Sequence, residues 1–159
     1  MVSVKKAFFS LAAFLAYFVG FLWLSTGIHE WLHLEVLQLL GGNGYIMKGW
    51  IGGYVVFTQN PSNPVLVALA GGLGVALIYS FLALWNWTNF NPEEYSALLP
   101  MIFGQLVYGV FEGLFVFSMP MAQYADWSQL VYLFGVIAGV VPAVLLMGKQ
   151  LMAKFEEKD

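Results

Sequence analysis

The sequence predicts an all-α membrane protein with about four transmembrane helices and a short re-entrant or β-hairpin-like segment between the first two. Of its 159 residues, 60% are hydrophobic and only 9% are charged, whereas a soluble domain carries about a quarter charged residues. Four apolar segments reach the length of about 20 residues that a helix needs to cross a bilayer. A chain of this length has room for one polytopic membrane domain, residues 1–159.

The first apolar segment runs from about Ala7 to Leu40 and is too long for one straight span. We expect it to tilt strongly, to kink at Gly20 or Gly27, or to begin on the membrane surface. The other three segments cover about 64–85, 95–119 and 128–149.

The stretch between the first two spans, Gly41 to Gln59, is apolar but broken by glycines and rich in Tyr, Val, Ile and Trp. Glycines among β-forming residues favour a short hairpin or a re-entrant loop over a helix. Pro64 then fits the first turn of the second helix. Residues 89–94 form a clearly polar internal loop.

Lysines lie at both ends of the chain, and the sequence has no arginine and a net charge of −3. This balance provides no basic surface for nucleic acid. Four spans place both termini on one side, and lysines favour the cytoplasmic side, so both termini are expected there; Lys48 is the exception. The terminal lysines are Lys5, Lys6, Lys149, Lys154 and Lys158.

Both histidines of the chain lie in the motif His29-Glu30-x-x-His33. Residues four apart share one face of a helix, so both imidazoles can hold one metal ion. Glu30 lies about 100° around the helix, and in metalloproteases of this pattern such a glutamate is the general base for a zinc-bound water. Alternatively, His29 and His33 are polar residues satisfied by packing against other helices. Ionisable residues at membrane depth are costly and usually functional, which favours a Zn²⁺ site.

A catalytic zinc site usually has three protein ligands and a water. The third ligand must be a carboxylate or an amide, because the chain has no cysteine and no further histidine. Glu112 is the only charged residue inside the last three spans and needs a partner. Glu35 lies roughly 200° around the helix from His33 and points away. Alternatively, Glu112 is protonated and hydrogen-bonded to a Tyr or Gln. The remaining candidates, in loops, are Glu93, Glu94 and Asp126.

Polar residues at spacings of three and four form a stripe on each of two apolar helices. The stripe on the first helix consists of Thr26, His29 and His33. The stripe on the third helix consists of Gln105, Tyr108 and Glu112. We expect the two stripes to face each other, with Tyr108 or Gln105 placed to steady an oxyanion.

The order of these features resembles the site-2 protease family of intramembrane zinc proteases, from about Thr26 to Gly113. The features are the His29–His33 motif, the glycine-rich stretch Gly44–Gln59, a helix with Ala70-Gly71, and the pair Glu112-Gly113. The family has an Asp-Gly pair in that last place, with the Asp as third zinc ligand. Its hairpin presents an edge to an extended substrate by strand addition. This chain departs from the family at Glu112, at Gly72 where Pro is usual, and in lacking an Asn/Pro-rich lead-in to the ligand.

These patterns predict a membrane-embedded zinc hydrolase, and the resemblance implies a protease acting on membrane-embedded peptides or proteins. Zn²⁺ would be held by His29, His33 and Glu112, with Glu30 as base. Two other classes stay open: a non-catalytic metal-binding or accessory subunit of a membrane complex, and a transporter. Apart from membrane lipid, the large apolar faces of so small a chain favour a homo- or hetero-oligomer.

Overall fold

The computed structural model describes residues 4–48, 53–88 and 92–156, which form four helices and one antiparallel pair of strands. In chain order these are α1 (Val4–Leu39), β1 (Asn43–Lys48), β2 (Gly53–Gln59), α2 (Pro64–Thr88), α3 (Pro92–Phe115) and α4 (Met121–Glu156). All four helices are long and apolar enough to cross a membrane. The predicted fold class is therefore confirmed, including the hairpin between the first two helices.

The first helix, α1, is one continuous helix of 36 residues. At 1.5 Å per residue it is about 54 Å long, well beyond the about 30 Å of a hydrocarbon core. It ends at Leu39, and two residues later Gly41 has a φ of 76°, the left-handed conformation that glycine adopts at little cost after a helix. The amide of Gly42 donates to the Leu37 carbonyl oxygen (2.9 Å) and closes the last turn.

The hairpin pairs Tyr45 with Val56 and Met47 with Tyr54. It lies against the end of α1, because a Cβ atom on Gly44 would lie within 2.8 Å of the Leu37 side chain. The turn of the hairpin, residues 49–52, lies outside the described residues. The same is true of residues 89–91 of the predicted polar loop and of Lys158.

Two helix boundaries differ from the sequence prediction. Helix α3 ends at Phe115, four residues early, and α4 begins at Met121, seven residues early. The intervening turn is apolar, so hydropathy gives no break there; it is closed by the Ser118 amide donating to the Phe115 carbonyl oxygen (3.0 Å). The polar loop is shorter than the sequence predicts, because Glu93 and Glu94 belong to the first turn of α3. The helix dipole favours acidic groups at that end of a helix.

Glycines allow the helices to approach closely on both sides of α3. On the α2 side, a Cβ atom on Gly72 would lie 2.6 Å from the Gln105 carbonyl oxygen, and one on Gly109 would lie 2.7 Å from the Leu73 amide nitrogen. On the α4 side, a Cβ atom on Gly135 would lie 2.8 Å from the Phe103 carbonyl oxygen. Close backbone approach through small residues is the usual basis of helix association in membranes.

Helix α3 is the centre of the bundle. It contacts α1, α2 and α4, whereas α4 contacts α3 alone among the described elements. The buried core lies along α3, with Val75 and Tyr79 of α2, Leu98 and Met101 of α3, and Val136 of α4. The backbones of α1 and α4 therefore do not approach each other among the described elements, although Phe14 of α1 and Ala143 of α4 share one buried apolar cluster with Ala97 of α3.

Candidate metal centre

The polar stripes of α1 and α3 face each other, as the sequence predicted. The Glu112 Oε2 atom lies 3.3 Å from His29 Nε2 and 3.4 Å from His33 Nε2. The two Nε2 atoms are 2.9 Å apart. Both histidines are 6% exposed, and the Glu112 side chain is 12% exposed. Three atoms able to bind a metal thus converge at one buried point.

The outer ring nitrogens fix how the two imidazoles present themselves. His33 Nδ1 lies 2.6 Å from the Val67 carbonyl oxygen, and since a carbonyl oxygen only accepts, Nδ1 carries the hydrogen. His29 Nδ1 lies 3.2 Å from Gln105 Oε1 and donates in the same way. The tautomer of each imidazole is thus assigned from its hydrogen-bond partner. Each neutral ring then directs its Nε2 lone pair toward the other ring and toward Glu112, an arrangement that either a shared proton or a cation at its centre would compensate.

The Glu112 carboxylate is the second feature of this group that a bound cation would compensate. Its Oε2 atom is buried and has no hydrogen-bond partner among the described residues. A buried charged oxygen without a partner costs several kcal/mol as an order of magnitude. In metal-binding histidines the outer ring nitrogen usually donates to a carbonyl or a carboxylate, which is the arrangement of His29 and His33 here.

The spacing of the three atoms fits zinc. Tetrahedral ligands at about 2.0–2.2 Å from Zn²⁺ lie about 3.3–3.6 Å from one another. The two spacings to Glu112, 3.3 and 3.4 Å, fall in this range, and the spacing of 2.9 Å between the imidazoles is slightly shorter. His29, His33 and Glu112 therefore form a group able to hold a metal ion.

A glycine of α2 makes room for this group. A Cβ atom on Gly71 would lie 2.6 Å from His33 Cε1 and 2.7 Å from His29 Cε1, and would contact His33 Nε2. Any side chain at this position would displace both rings. In the sequence, Gly71 stands out only within the family resemblance. Three residues later, Gly74 packs against Leu32, whose Cδ1 atom would lie 2.6 Å from a Cβ atom there.

The other predicted catalytic residues lie beside the group. Glu30 is partly buried, and its Cγ atom would lie 3.3 Å from a Cβ atom on Gly53, at the start of β2. The Tyr108 ring centroid is 5.3 Å from that of His29. Gln105 touches His29 on the side remote from Nε2.

The rival metal ligands lie elsewhere. Glu35 and Asp126 are exposed. At the start of α3, the Glu93 carboxylate accepts a hydrogen bond from Ser10 Oγ and the Glu94 carboxylate accepts one from Asn86 Nδ2 (2.9 Å). Of the acidic residues that the structure describes, Glu112 alone joins the two histidines in a metal-binding group.

Two cavities meet beside the histidines. The larger, of about 740 Å³, lies between α1, β2 and α4 and is mainly apolar; Glu30, His33 and Glu112 line it together with Tyr54 and Phe57 of β2. The smaller, of about 250 Å³, reaches His29 and Gln105, and its surface is also mainly apolar. Glu30 and Tyr108 line both, so they stand where the cavities join.

Sequence reasoning missed Tyr124. This residue is buried on α4, lines the larger cavity, and places its hydroxyl 3.5 Å from that of Tyr108. The sequence prediction left it in a loop because it started the last helix at Ser128. The signal that could have found it is the spacing of four from Tyr124 to Ser128, which places two polar side chains on one face of an earlier-starting helix.

No protein-family model, curated protein or solved structure matches this chain. The resemblance to site-2 proteases therefore rests on the motifs in the sequence, and the chemistry of the site has to be argued from its geometry.

Metal content is the direct test of this geometry. We expect purified wild-type protein to hold one zinc ion per chain, measured by mass spectrometry of metals. His33→Ala and Glu112→Ala should each lose it, because two remaining ligands bind far more weakly than three; Glu112→Asp should keep part. Glu35→Ala and Asp126→Ala are the matched controls and should retain full zinc. A wild-type protein that holds no transition metal and cannot be loaded would refute the site.

Gly71→Ala tests whether the space beside the imidazoles matters. The added methyl group displaces both rings, so we expect zinc affinity to fall on the order of 10- to 100-fold, as when the support of a ligating histidine is disturbed. Gly27→Ala is the control, because no atom lies within 4 Å of a Cβ there. Equal zinc affinity of the two variants, in competition with a chelator, would contradict this role.

Proposed function

We propose that this protein is a zinc-dependent hydrolase that cleaves membrane-embedded peptides. In this proposal His29, His33 and Glu112 hold the metal and Glu30 is the general base. The observation that carries it is the unpartnered Glu112 Oε2 atom, which faces two Nε2 lone pairs at 3.3 and 3.4 Å. Glu30 stands beside this group, at the wall of a cavity.

Zinc bound here would supply a Lewis acid, which lowers the pKa of water to about 7 and polarises a carbonyl. In this proposal, residues of the chain transfer the protons and hold the metal ligands in place. Glu30 accepts a proton from the attacking water and delivers it to the leaving nitrogen, so that a C–O bond forms as the C–N bond breaks. Gln105 and the Val67 carbonyl hold the outer nitrogens of His29 and His33 and thereby fix the direction of both rings.

The larger cavity is the feature that favours a peptide as the substrate. Strand β2 lines it, and the described sheet has two strands, which leaves one edge of β2 unpaired. An unpaired edge offers amide and carbonyl groups to an extended chain. In a bilayer, a peptide bond that leaves a helix needs such partners. The same cavity is lined by residues of both α1 and α4, so a membrane-embedded segment would reach this edge between these two helices.

The proposed orientation places both termini in the cytoplasm, because four spans return the chain to its starting side and lysines lie at both ends.

The chain has no cysteine, so any labelling by a thiol reagent can be attributed to a single introduced cysteine. A cysteine replacing Lys5 or Lys149 should react with a membrane-impermeant maleimide only after cells are permeabilised. One replacing Lys48 should react without permeabilisation. The opposite pattern would invert the orientation.

Glu30→Gln separates catalysis from metal binding. The amide preserves the shape of the side chain but cannot accept the proton, so we expect full zinc content and a loss of kcat of roughly 10²- to 10⁴-fold. The assay incubates the protein in detergent micelles with a mixture of apolar membrane-spanning peptides in H₂¹⁸O. Hydrolysis appears in mass spectra as fragments whose new carboxylates carry ¹⁸O.

Glu35→Gln is the matched control and should retain activity, because Glu35 is exposed on the same helix. Unchanged activity in Glu30→Gln would exclude the proposed base. Zinc binding without any hydrolysis by the wild-type protein would favour a non-catalytic metal-binding subunit.

A further inference from the structure

We infer that the hydroxyls of Tyr108 and Tyr124 form a two-donor site for an anionic oxygen next to the metal group, and that its ligand is the tetrahedral oxyanion of amide hydrolysis. The inference rests on the proposed function and adds a residue of α4 to the site. It also assigns the stabilising role that the sequence left open between Tyr108 and Gln105.

The two tyrosines come from different helices and meet in the larger cavity. Tyr108 precedes Glu112 by four residues on α3, so both side chains lie on one face, and the Tyr108 ring lies against that of His29. Tyr124 reaches the same place from α4, where its ring stacks on Phe111 with centroids 5.7 Å apart. Both tyrosines line the cavity that Glu30 and Glu112 also line.

The hydroxyl spacing suits a shared acceptor. The two oxygens are 3.5 Å apart, beyond the 2.5–3.0 Å of a good O–H···O hydrogen bond, so neither proton is firmly engaged by the other hydroxyl. A single oxygen about 2.7 Å from each can accept from both. In a cavity walled by apolar side chains, two such donors stabilise a developing negative charge far better than they would in water.

Gln105 is less suited to this role. Its Oε1 atom accepts from His29 Nδ1, so turning the amide toward a substrate would remove the support of that imidazole. Tyr108 and Tyr124 hold no such contact with either histidine ring nitrogen among the hydrogen bonds of the described residues. The hydroxyl pair can therefore bind and release an anion without turning either imidazole, while the Tyr124 hydroxyl also lies next to the Glu112 carboxylate.

A phosphinic dipeptide with benzyl side chains tests the site, because its tetrahedral anionic phosphinate imitates the oxyanion without being cleaved. Its affinity for the zinc-loaded protein in detergent micelles is measured by calorimetry. We expect Tyr108→Phe and Tyr124→Phe each to weaken binding on the order of 10-fold or more, the loss of one hydrogen bond to a charged group. Both variants should keep full zinc.

Tyr79→Phe is the matched control. Tyr79 is also a buried tyrosine, but its hydroxyl donates to the Phe21 carbonyl oxygen (2.8 Å) and its side chain lines neither of the two cavities. It should bind the phosphinate as tightly as the wild-type protein. Wild-type affinity in Tyr124→Phe would overturn the inference and leave the hydrolase proposal intact. Loss of zinc from Tyr124→Phe would also overturn it, by making Tyr124 a support of Glu112. A wild-type protein that binds neither zinc nor phosphinate would defeat both proposals.

Discussion

A carboxylate buried among apolar helices must be compensated, and the centre of this bundle is arranged around that requirement. Glu112 lies on α3, which contacts every other helix, and the only histidines of the chain face it from α1. Their outer nitrogens are held by Val67 and Gln105, so the rings cannot turn away. A cation bound here, as proposed, would relieve the lone-pair repulsion and the desolvation of the carboxylate at once, and its binding would therefore stabilise the fold.

This compensation depends on the distance between helix backbones. Glycines set that distance in two layers: Gly72 and Gly109 bring α2 against α3, and Gly71 leaves space for the two imidazoles. In lipid the hydrophobic effect does not press helices together, so close packing and polar contacts have to do so. Neighbouring glycines therefore serve the two requirements: Gly72 and Gly109 serve helix association, and Gly71 serves the geometry of the His/Glu group.

Much of this arrangement can be predicted from the sequence, because a bilayer requires long apolar helices and makes charged residues within them rare. Apolar runs long enough to span a bilayer identify the helices, and a lone Glu112 in such a run singles itself out when histidine and cysteine are exhausted. Hydropathy does not locate the end of a helix where the helix and the turn after it are equally apolar. The turn after Phe115 is as apolar as the helices beside it, so the sequence predicts the position of this turn wrongly and places Tyr124 in a loop. Gly71 could not be assigned either, because its role depends on which rings α2 faces, and a residue without a side chain carries no pattern of its own.

The isolation of α4 has a consequence for how the protein is made. Every member of the His/Glu group lies on α1 or α3, and α2 holds these two helices together. During synthesis the N-terminal parts of a chain fold first, so the group is complete once three helices have entered the membrane. The last helix brings no ligand and attaches to a single neighbour. It adds Tyr124 and the far wall of the cavity. In the proposed hydrolase, the order of insertion would thus separate a stage at which the metal is acquired from a later stage at which a substrate is enclosed.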